Sequence, residues 1–528
     1  MTPAAATNVS ACTDERPTWR AWAMVGAVCL AVWALARWLF FVGYEGSDDM
    51  FYLRFAALWH RTPVNHWEAR LLGNAVLRPF LLIFGVREWA AVLPAMLASL
   101  TVLISTLFAC RLYGTIRQAW WAGLFVALVP VEVANATTVS AHAVMAGFMA
   151  AGTLAFVRAA DSRPARWLAA VCLPLGVVAH YNGSYYVASL LLAALIVDRR
   201  KYGRAVLAVI IGGVLAMLGE MLAFQVLFGD ALRGLRLSSP KALEINNTLE
   251  SDGLTRSMMI WSLVQFTMGH SFGVALMVTT LLASCCYRRF SPPVRIMALG
   301  AGLFWLVLSF GSYVPWDYRP FWRNARYFHP LVMPVAVAFA AGLVQFRFRQ
   351  WARAAGVATL CVCGLMLSLG GSWGQNVTIS RELLDYVLAH PDRQFVTDVH
   401  TANEIYVLNG LATPPNVAGT TDYGRTHYLD GSIRLVSDPA HETVDAWLIN
   451  PLNVARNPKF ARICEPFLGP PEYQTDVRYR ALCEWIRPLR SGSWAVRKPP
   501  ARVCRIEPAP QVRACLEVPD LTGQCSRH

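Results

Sequence analysis

Apolar residues in this chain gather into long unbroken runs, not into the one-faced stripes of a soluble core. The runs cover 21–42, 89–110, 119–133, 138–157, 167–181, 185–197, 205–228, 259–283, 294–310, 327–346 and 352–370. Several reach the roughly 20 residues that an α-helix needs to cross a bilayer, and the shorter ones fit inside a bundle. The pattern predicts an α-helical polytopic membrane protein with about 11 transmembrane helices. The first run follows Arg16 and Arg20, is too long for a signal-peptide core and has no small-x-small cleavage site before Glu45. It is expected to stay as the first helix, behind a mobile cytoplasmic leader at 1–20.

The polar gaps carry a second pattern. Arg111 and Arg117; Arg158, Arg163 and Arg166; Arg199, Arg200, Lys201 and Arg204; Arg288, Arg289 and Arg295; and Arg347, Arg349 and Arg353 fall in alternate short loops. By the positive-inside rule these loops and the N-terminus face the cytoplasm, and everything after Gly371 lies outside. From that point the runs shorten and prolines cluster. RELLDYVLAH (381–390) has helical spacing, whereas RQFVTDVH, EIYVLNG, SIRLVSD and DAWLINP read as short strands. Residues 371–528 are therefore expected to form an extracytoplasmic α/β domain, Rossmann-like in part, that ends in a loop-rich segment. It lacks the glycine-rich fingerprint of a phosphate site.

Composition sharpens this. Of 528 residues 55% are hydrophobic and 15% charged, where soluble domains have roughly a quarter charged. The net charge of +14 sits mainly in the basic loops, with no RNA- or DNA-binding motif, so no nucleic-acid partner is expected. Five cysteines (Cys464, Cys483, Cys504, Cys515 and Cys525) crowd the end of the chain. An oxidising compartment would pair four of them, in an arrangement the sequence leaves open.

Chemistry gathers in the outer loops 43–88, 229–258 and 311–326, where arginines stand beside acids and aromatics. The stretch GYEGSDDMFYLRFAALW (43–59) places Phe51, Phe55, Leu58 and Trp59 on one helical stripe, as in a helix lying in the membrane interface. Ser47, Asp48 and Asp49 then start that helix, where a carboxylate accepts free backbone N–H groups. Capping explains one aspartate fully and the other in part, so a cap and a reactive group both stand as readings.

This opening resembles that of the C-type (GT-C) glycosyltransferases, which include protein O-mannosyltransferases and the aminoarabinose transferases of lipid A. Their first outer loop carries an acidic pair with a tyrosine three residues on, here Asp48, Asp49 and Tyr52. EARLLGNAVLRPFLLIFGVREW (68–89), LVPVEVANATTVSAHAVMAGF (128–148) and RYFHPLVMP (326–334) resemble later landmarks in the same order. Two positions depart from the pattern: Ala141-His142 stands where relatives have Pro-Asp, and Asn182-Gly183 where they have Lys-Glu.

The resemblance implies a GT-C-like membrane domain over 21–370, with its catalytic loop at 43–88. It implies inverting transfer of a sugar from a polyprenyl-phosphate-linked donor to a lipid, protein or polysaccharide acceptor, among membrane lipids. The bacterial inner membrane is the expected site. Asp48 would be the general base and Asp49 the next candidate; some relatives use a divalent metal, and magnesium, manganese or calcium would suit Asp48 and Asp49 if this chain takes one. Arg326 would hold the leaving phosphate, seconded by Arg70, Arg78 and Tyr327. Tyr52 and His142 would contact substrate, His142 in place of the missing acid. The alternative is a non-catalytic GT-C relative, or a transporter or assembly subunit for envelope polysaccharide. A transporter would show repeats or charges deep in its spans, and here Glu220 stands out in runs with little charge.

Overall fold

The computed structural model describes residues 18–46, 48–59, 66–238, 286–314, 317–320, 325–345, 375–420, 435–436, 446–450 and 502–505. The expected spans 259–283 and 352–370 lie outside these residues, as do Cys464, Cys483, Cys515 and Cys525. Cys504 lies on a described strand.

The chain begins with α1 (Trp19–Leu39), then two shorter helices, α2 (Asp48–Ala57) and α3 (Leu71–Phe84). There follow α4 (Glu88–Tyr113), α5 (Ile116–Leu128), α6 (Pro130–Ala136), α7 (Ala141–Arg158), α8 (Arg163–Ala179), α9 (Gly183–Phe228) and the short α10 (Arg233–Ser238). Next come α11 (Pro292–Phe310), the pair β1 (Ser312–Val314) and β2 (Asp317–Pro320), a 3-10 helix (Ala325–Leu331) and α12 (Val332–Gln345). Among the described residues six helices are long and apolar enough to cross a membrane, or seven spans if the bent α5–α6 pair is one. The protein is an integral membrane protein.

Local chemistry sets the breaks. Pro130 opens α6 without an N–H to give, and Val129 before it is extended, so the chain turns by 53° there. The 46 residues of α9 break at Asp198 (φ −159°, ψ 85°), which divides them into the two runs read from the sequence. Ser140 and Ser162 cap α7 and α8.

Helix α7 is the buried centre, packed on α4 and α8. Lipid tails are as apolar as leucine, so helices in a bilayer associate through close fit, and small residues permit it. A Cβ at Gly147 would lie 2.9 Å from Ala98 of α4, and one at Gly152 would lie 2.7 Å from Leu173 of α8. The exposed leucines, isoleucines and valines of α9 between Leu207 and Val226 face outward, as lipid-contacting positions do.

Beyond the bundle, α13 (Gln375–Ala389), β3 (Phe395–Thr397), α14 (Val399–Leu408), β4 (Val417–Thr420), β5 (Leu435–Val436), β6 (Ala446–Ile449) and β7 (Arg502–Arg505) form an α/β unit. Its five-stranded sheet has the order β5-β4-β3-β6-β7, parallel except for β7. The helix at RELLDYVLAH and the strands in RQFVTDVH, SIRLVSD and DAWLINP agree with the sequence pattern. EIYVLNG does not, for it lies in α14. Asp398 caps that helix by accepting from the N–H groups of His400 and Thr401, and the cap prevails over the strand preference of Ile-Tyr-Val.

One expectation changes in a way that matters for the site. Helix α2 is not an amphipathic helix at the interface: every residue from Asp49 to Ala56 is buried. Ala402, Tyr406 and Val407 of the α/β unit share a core with Met50 and Leu53, covering the face opposite the predicted stripe. Glu88 ties the same parts together, its Oε1 accepting from Arg381 Nη2 at 2.8 Å and from the Tyr44 N–H at 3.4 Å.

Candidate active site

The two aspartates at the start of α2 face different ways. Asp49 is buried, and its Oδ2 turns back to accept the N–H groups of Glu45 (2.7 Å) and Gly46 (3.3 Å). It fixes the loop that enters the helix. Asp48 is half-buried, and its Oδ2 accepts from Arg326 Nη1 at 3.1 Å. The Trp67 side chain also hydrogen-bonds to it.

The turn at 66–70 is held rigidly against α2. Trp67 stacks on Phe51 with ring centroids 4.8 Å apart and planes 7° from parallel. Arg54 of α2 forms a buried ion pair with Glu68. Asn74 Nδ2 donates to the carbonyls of Glu68 and Arg70, each at 3.0 Å. This brings Arg70 over the Tyr52 ring, 5.5 Å from its centroid.

Electrostatics follow from the crowding. Burial would raise the Asp48 carboxyl, but the guanidinium groups of Arg326 and Arg70 outweigh it and hold the carboxyl below its ordinary value. Burial lowers His66 to about 4, against the pull of Asp48. Burial lowers Arg70 to about 10, again opposed by Asp48, so Arg70 remains a cation at neutral pH.

A histidine pair completes the enclosure. His142, in the first turn of α7, lies 4.1 Å from His180, which ends α8, measured between ring centroids. Tyr327 is 5.3 Å from His142 and 6.0 Å from His180. The Asn182 N–H donates to His180 Nδ1 at 3.3 Å, which in a neutral ring leaves the proton on Nε2. Among the described residues His180 Nε2, His142 Nδ1 and Arg70 Nη1 are buried without a hydrogen-bond partner.

Of the residues singled out from sequence, Asp48, Tyr52, Arg70, His142, Arg326 and Tyr327 converge here. Asp49 serves the loop. Arg78 lies at the far end of α2, where Nη1 donates to Ala56 O at 2.9 Å; ten helical residues separate the ends by about 15 Å. The Asn182-Gly183 departure has a local reason. It lies at Gly183, where a Cβ would stand 3.2 Å from the Gly176 carbonyl and displace the end of Met149; the N–H that Asn182 gives His180 belongs to the main chain, so the Asn182 side chain has no such explanation. Asp48 and Asp49 do not converge on a shared point. Among the described residues no group of three or more His, Cys, Asp or Glu side chains is arranged to hold a metal ion.

Sequence reasoning missed His66, Trp67 and His180, which lie beside motifs it had marked. It also missed Glu132, an acid inside the run 119–133, although an isolated charge in an apolar run is itself a signal.

Residues 69–223 match the family model for dolichyl-phosphate-mannose-protein mannosyltransferases. The apo structure of ArnT from Cupriavidus metallidurans superposes with a TM-score of 0.57 at 12% identity, over 85% of this chain and 94% of that one. The chain has the GT-C fold. The same ArnT bound to undecaprenyl phosphate aligns over 75% of this chain and 76% of its own, at TM-score 0.47 and 14% identity. The oligosaccharyltransferase of Archaeoglobus fulgidus, tethered to an acceptor peptide, aligns over 74% and 63% respectively, at TM-score 0.45 and 13% identity. No curated protein sequence matches the chain.

Proposed function

We propose that this protein is an inverting membrane glycosyltransferase that moves a sugar from a polyprenyl-phosphate-linked donor to a lipid, protein or polysaccharide acceptor. One observation carries the reading: a carboxylate able to act as base and a guanidinium suited to phosphate meet at 3.1 Å in a half-buried pair, from opposite ends of the membrane domain. ArnT, whose fold the chain shares, has been captured with undecaprenyl phosphate, which supports a carrier of that class.

The pair reads as a resting state. Arg326 holds the Asp48 carboxyl low, which makes it a weak base. A donor phosphate competes for Arg326 through the fork geometry that guanidinium offers to phosphate oxygens. As Arg326 turns to the donor, Asp48 loses its strongest cationic partner and its affinity for a proton rises. Asp48 then takes the acceptor's proton as the acceptor attacks the anomeric carbon. The bond from that carbon to the phosphate oxygen breaks, its electrons remain on the phosphate, and Arg326 and Arg70 stabilise the charge that develops. The Nε2–H of His180 donates to the donor, and Tyr327 and Tyr52 flank the sugar.

The prenyl chain has a place as well. A cavity of about 260 Å³ between α8 and α9 is lined by apolar residues including Val177, Val178, Val187, Leu191 and Met217. Val178 and Ser184, both in its lining, lie on either side of His180 in the chain. Arg326 and Arg70 supply positive charge at the phosphate. A magnesium or manganese ion would need Asp48 and Asp49 to turn toward a common point.

In this reading the site faces the outer side of the bacterial inner membrane, with the N-terminus cytoplasmic and the α/β domain of 371–528 in the periplasm. The basic loops support this orientation. The test is sugar release from radiolabelled polyprenyl-phosphate hexose and pentose by the purified protein in native lipid, beside Asp48→Asn. Turnover that depends on Asp48 is the expected result. A folded wild type that binds undecaprenyl phosphate but transfers nothing would leave a non-catalytic GT-C scaffold or an assembly subunit.

A further inference from the structure

Glu132 and His329 lie behind the Asp48–Arg326 pair and play no part in the chemistry above. Both are fully buried, and His329 Nε2 meets Glu132 Oε2 at 2.6 Å. Glu132 is held in turn by α1 and α4. Arg37 Nη2 stands 3.8 Å from its Oε1, and Arg37 also donates to Ser99 Oγ at 3.0 Å and to the Ala127 carbonyl. Trp33 Nε1 donates to the same Ser99 at 2.9 Å. Such a charge is stable in a membrane interior only when paired in this way.

What this network grips decides its meaning. His329 sits three residues after Arg326 on the 3-10 helix, where side chains at i and i+3 eclipse one another. Anchoring His329 therefore sets the rotation of the turn that presents Arg326. The other end of the same short helix α6 grips the other half of the pair. Gly43 N–H donates to Thr137 O at 2.9 Å and Gly43 bridges to Thr138, so the loop leading to Asp48 is docked on the end of α6. Gly43 has φ +79°, a conformation that suits glycine, and a Cβ there would meet Glu88 Oε1 at 3.0 Å.

We propose that Glu132 and His329 are positioning residues: α6 is a strut that fixes the distance between Asp48 and Arg326 by tying the arginine's turn at one end and the aspartate's loop at the other. The consequence for rate rests on the reading of that pair as base and phosphate holder. The consequence for geometry does not.

The experiment uses the full chain in native-lipid nanodiscs, with thermal unfolding as a check on folding. His329→Leu removes the tie while leaving the Arg37–Glu132 pair whole; His329→Gln can still donate to Glu132. Glu132→Gln, measured beside them, weakens the tie from the other side should His329→Leu fail to fold. Nitroxide labels on an Asp48→Cys/Arg326→Cys background report separation through dipolar broadening. The expected result is one narrow separation with His329 intact, a broadened one in His329→Leu, and recovery in His329→Gln. With the unlabelled site, kcat for sugar transfer is expected to fall about 10–100-fold in His329→Leu, with KM for the donor changing less, and to recover in His329→Gln. Unchanged separation in a folded His329→Leu protein overturns the proposal. A wild type that transfers no sugar overturns the proposed function alone, because the label separations still decide the strut.

Discussion

Among the described residues two helices start on an aspartate, and they use it in opposite ways. At α14, Asp398 serves its own helix: Oδ1 accepts from the N–H groups of His400 (2.9 Å) and Thr401 (3.0 Å), and Oδ2 from the Thr401 hydroxyl at 2.5 Å. At α2, Asp49 looks back to the backbone of Glu45 and Gly46. Asp48 is thereby left to side chains from distant parts of the chain. A lone acid at a helix start is absorbed by local hydrogen bonds, whereas a pair lets one acid hold the backbone and the other face a site.

The sharpest way to break this contrast is to neutralise each acid in turn. Asp48→Asn keeps the shape and removes the base, so turnover is expected to fall about 100–10,000-fold, whereas Asp398→Asn leaves turnover close to wild type; single-turnover sugar release measures both. Next comes Arg326→Gln, expected to lower kcat about 100-fold. Arg326→Lys should recover only part of this, because a point charge lacks the guanidinium fork.

The acid side of the pH profile separates the two helix starts further. Asp48 has its folded value below the carboxylate's ordinary 3.8. Its contribution to stability is therefore complete above the unfolded value and is lost as pH falls through the lower, folded one. Melting temperature against pH should lose part of its acid-side decline in Asp48→Asn. In kinetics, kcat/KM reports the free enzyme and kcat the donor complex. If the donor draws Arg326 away, the acid limb of kcat lies at higher pH than that of kcat/KM; coincident limbs would remove the exchange of partners from the mechanism. The smallest effects belong to the two acids that hold backbone, Asp398 as a helix cap and Asp49 on the loop before α2. Asp398→Ala and Asp49→Ala are each expected to lower stability by about 1–2 kcal/mol, read as a lower melting temperature.

How far the sequence could be read depended on how local the cause was. Apolar runs define spans because crossing a bilayer is a requirement on consecutive residues, and even the division of α9 at Asp198 was visible as two runs. The convergence of Asp48, Arg70 and Arg326 was accessible through ordered landmarks, although nothing local says that Arg326 reaches Asp48. The rest depends on partners far along the chain. Met50 and Leu53 complete a core only with Ala402 and Tyr406, so α2 read as an exposed stripe. EIYVLNG read as a strand because Ile, Tyr and Val prefer one, and its capping aspartate had been assigned to the preceding strand. Arg78 carries the right charge in the right loop, but its partner is the end of α2.

The cover over α2 also has a consequence in time. Synthesis runs from the N-terminus, so the segment bearing Asp48 leaves the ribosome early and the residues that enclose it, Ala402, Tyr406 and Val407, leave late. Until then Met50 and Leu53 lack one wall of their core, and Glu88, which already accepts the Tyr44 N–H, waits for Arg381. A chain cut short before α14 would insert its first spans and yet leave this helix half-dressed. Completion of the polypeptide thus becomes a condition for assembling the aspartate's surroundings, and unfinished products should be recognisable by protease cleavage near residue 50.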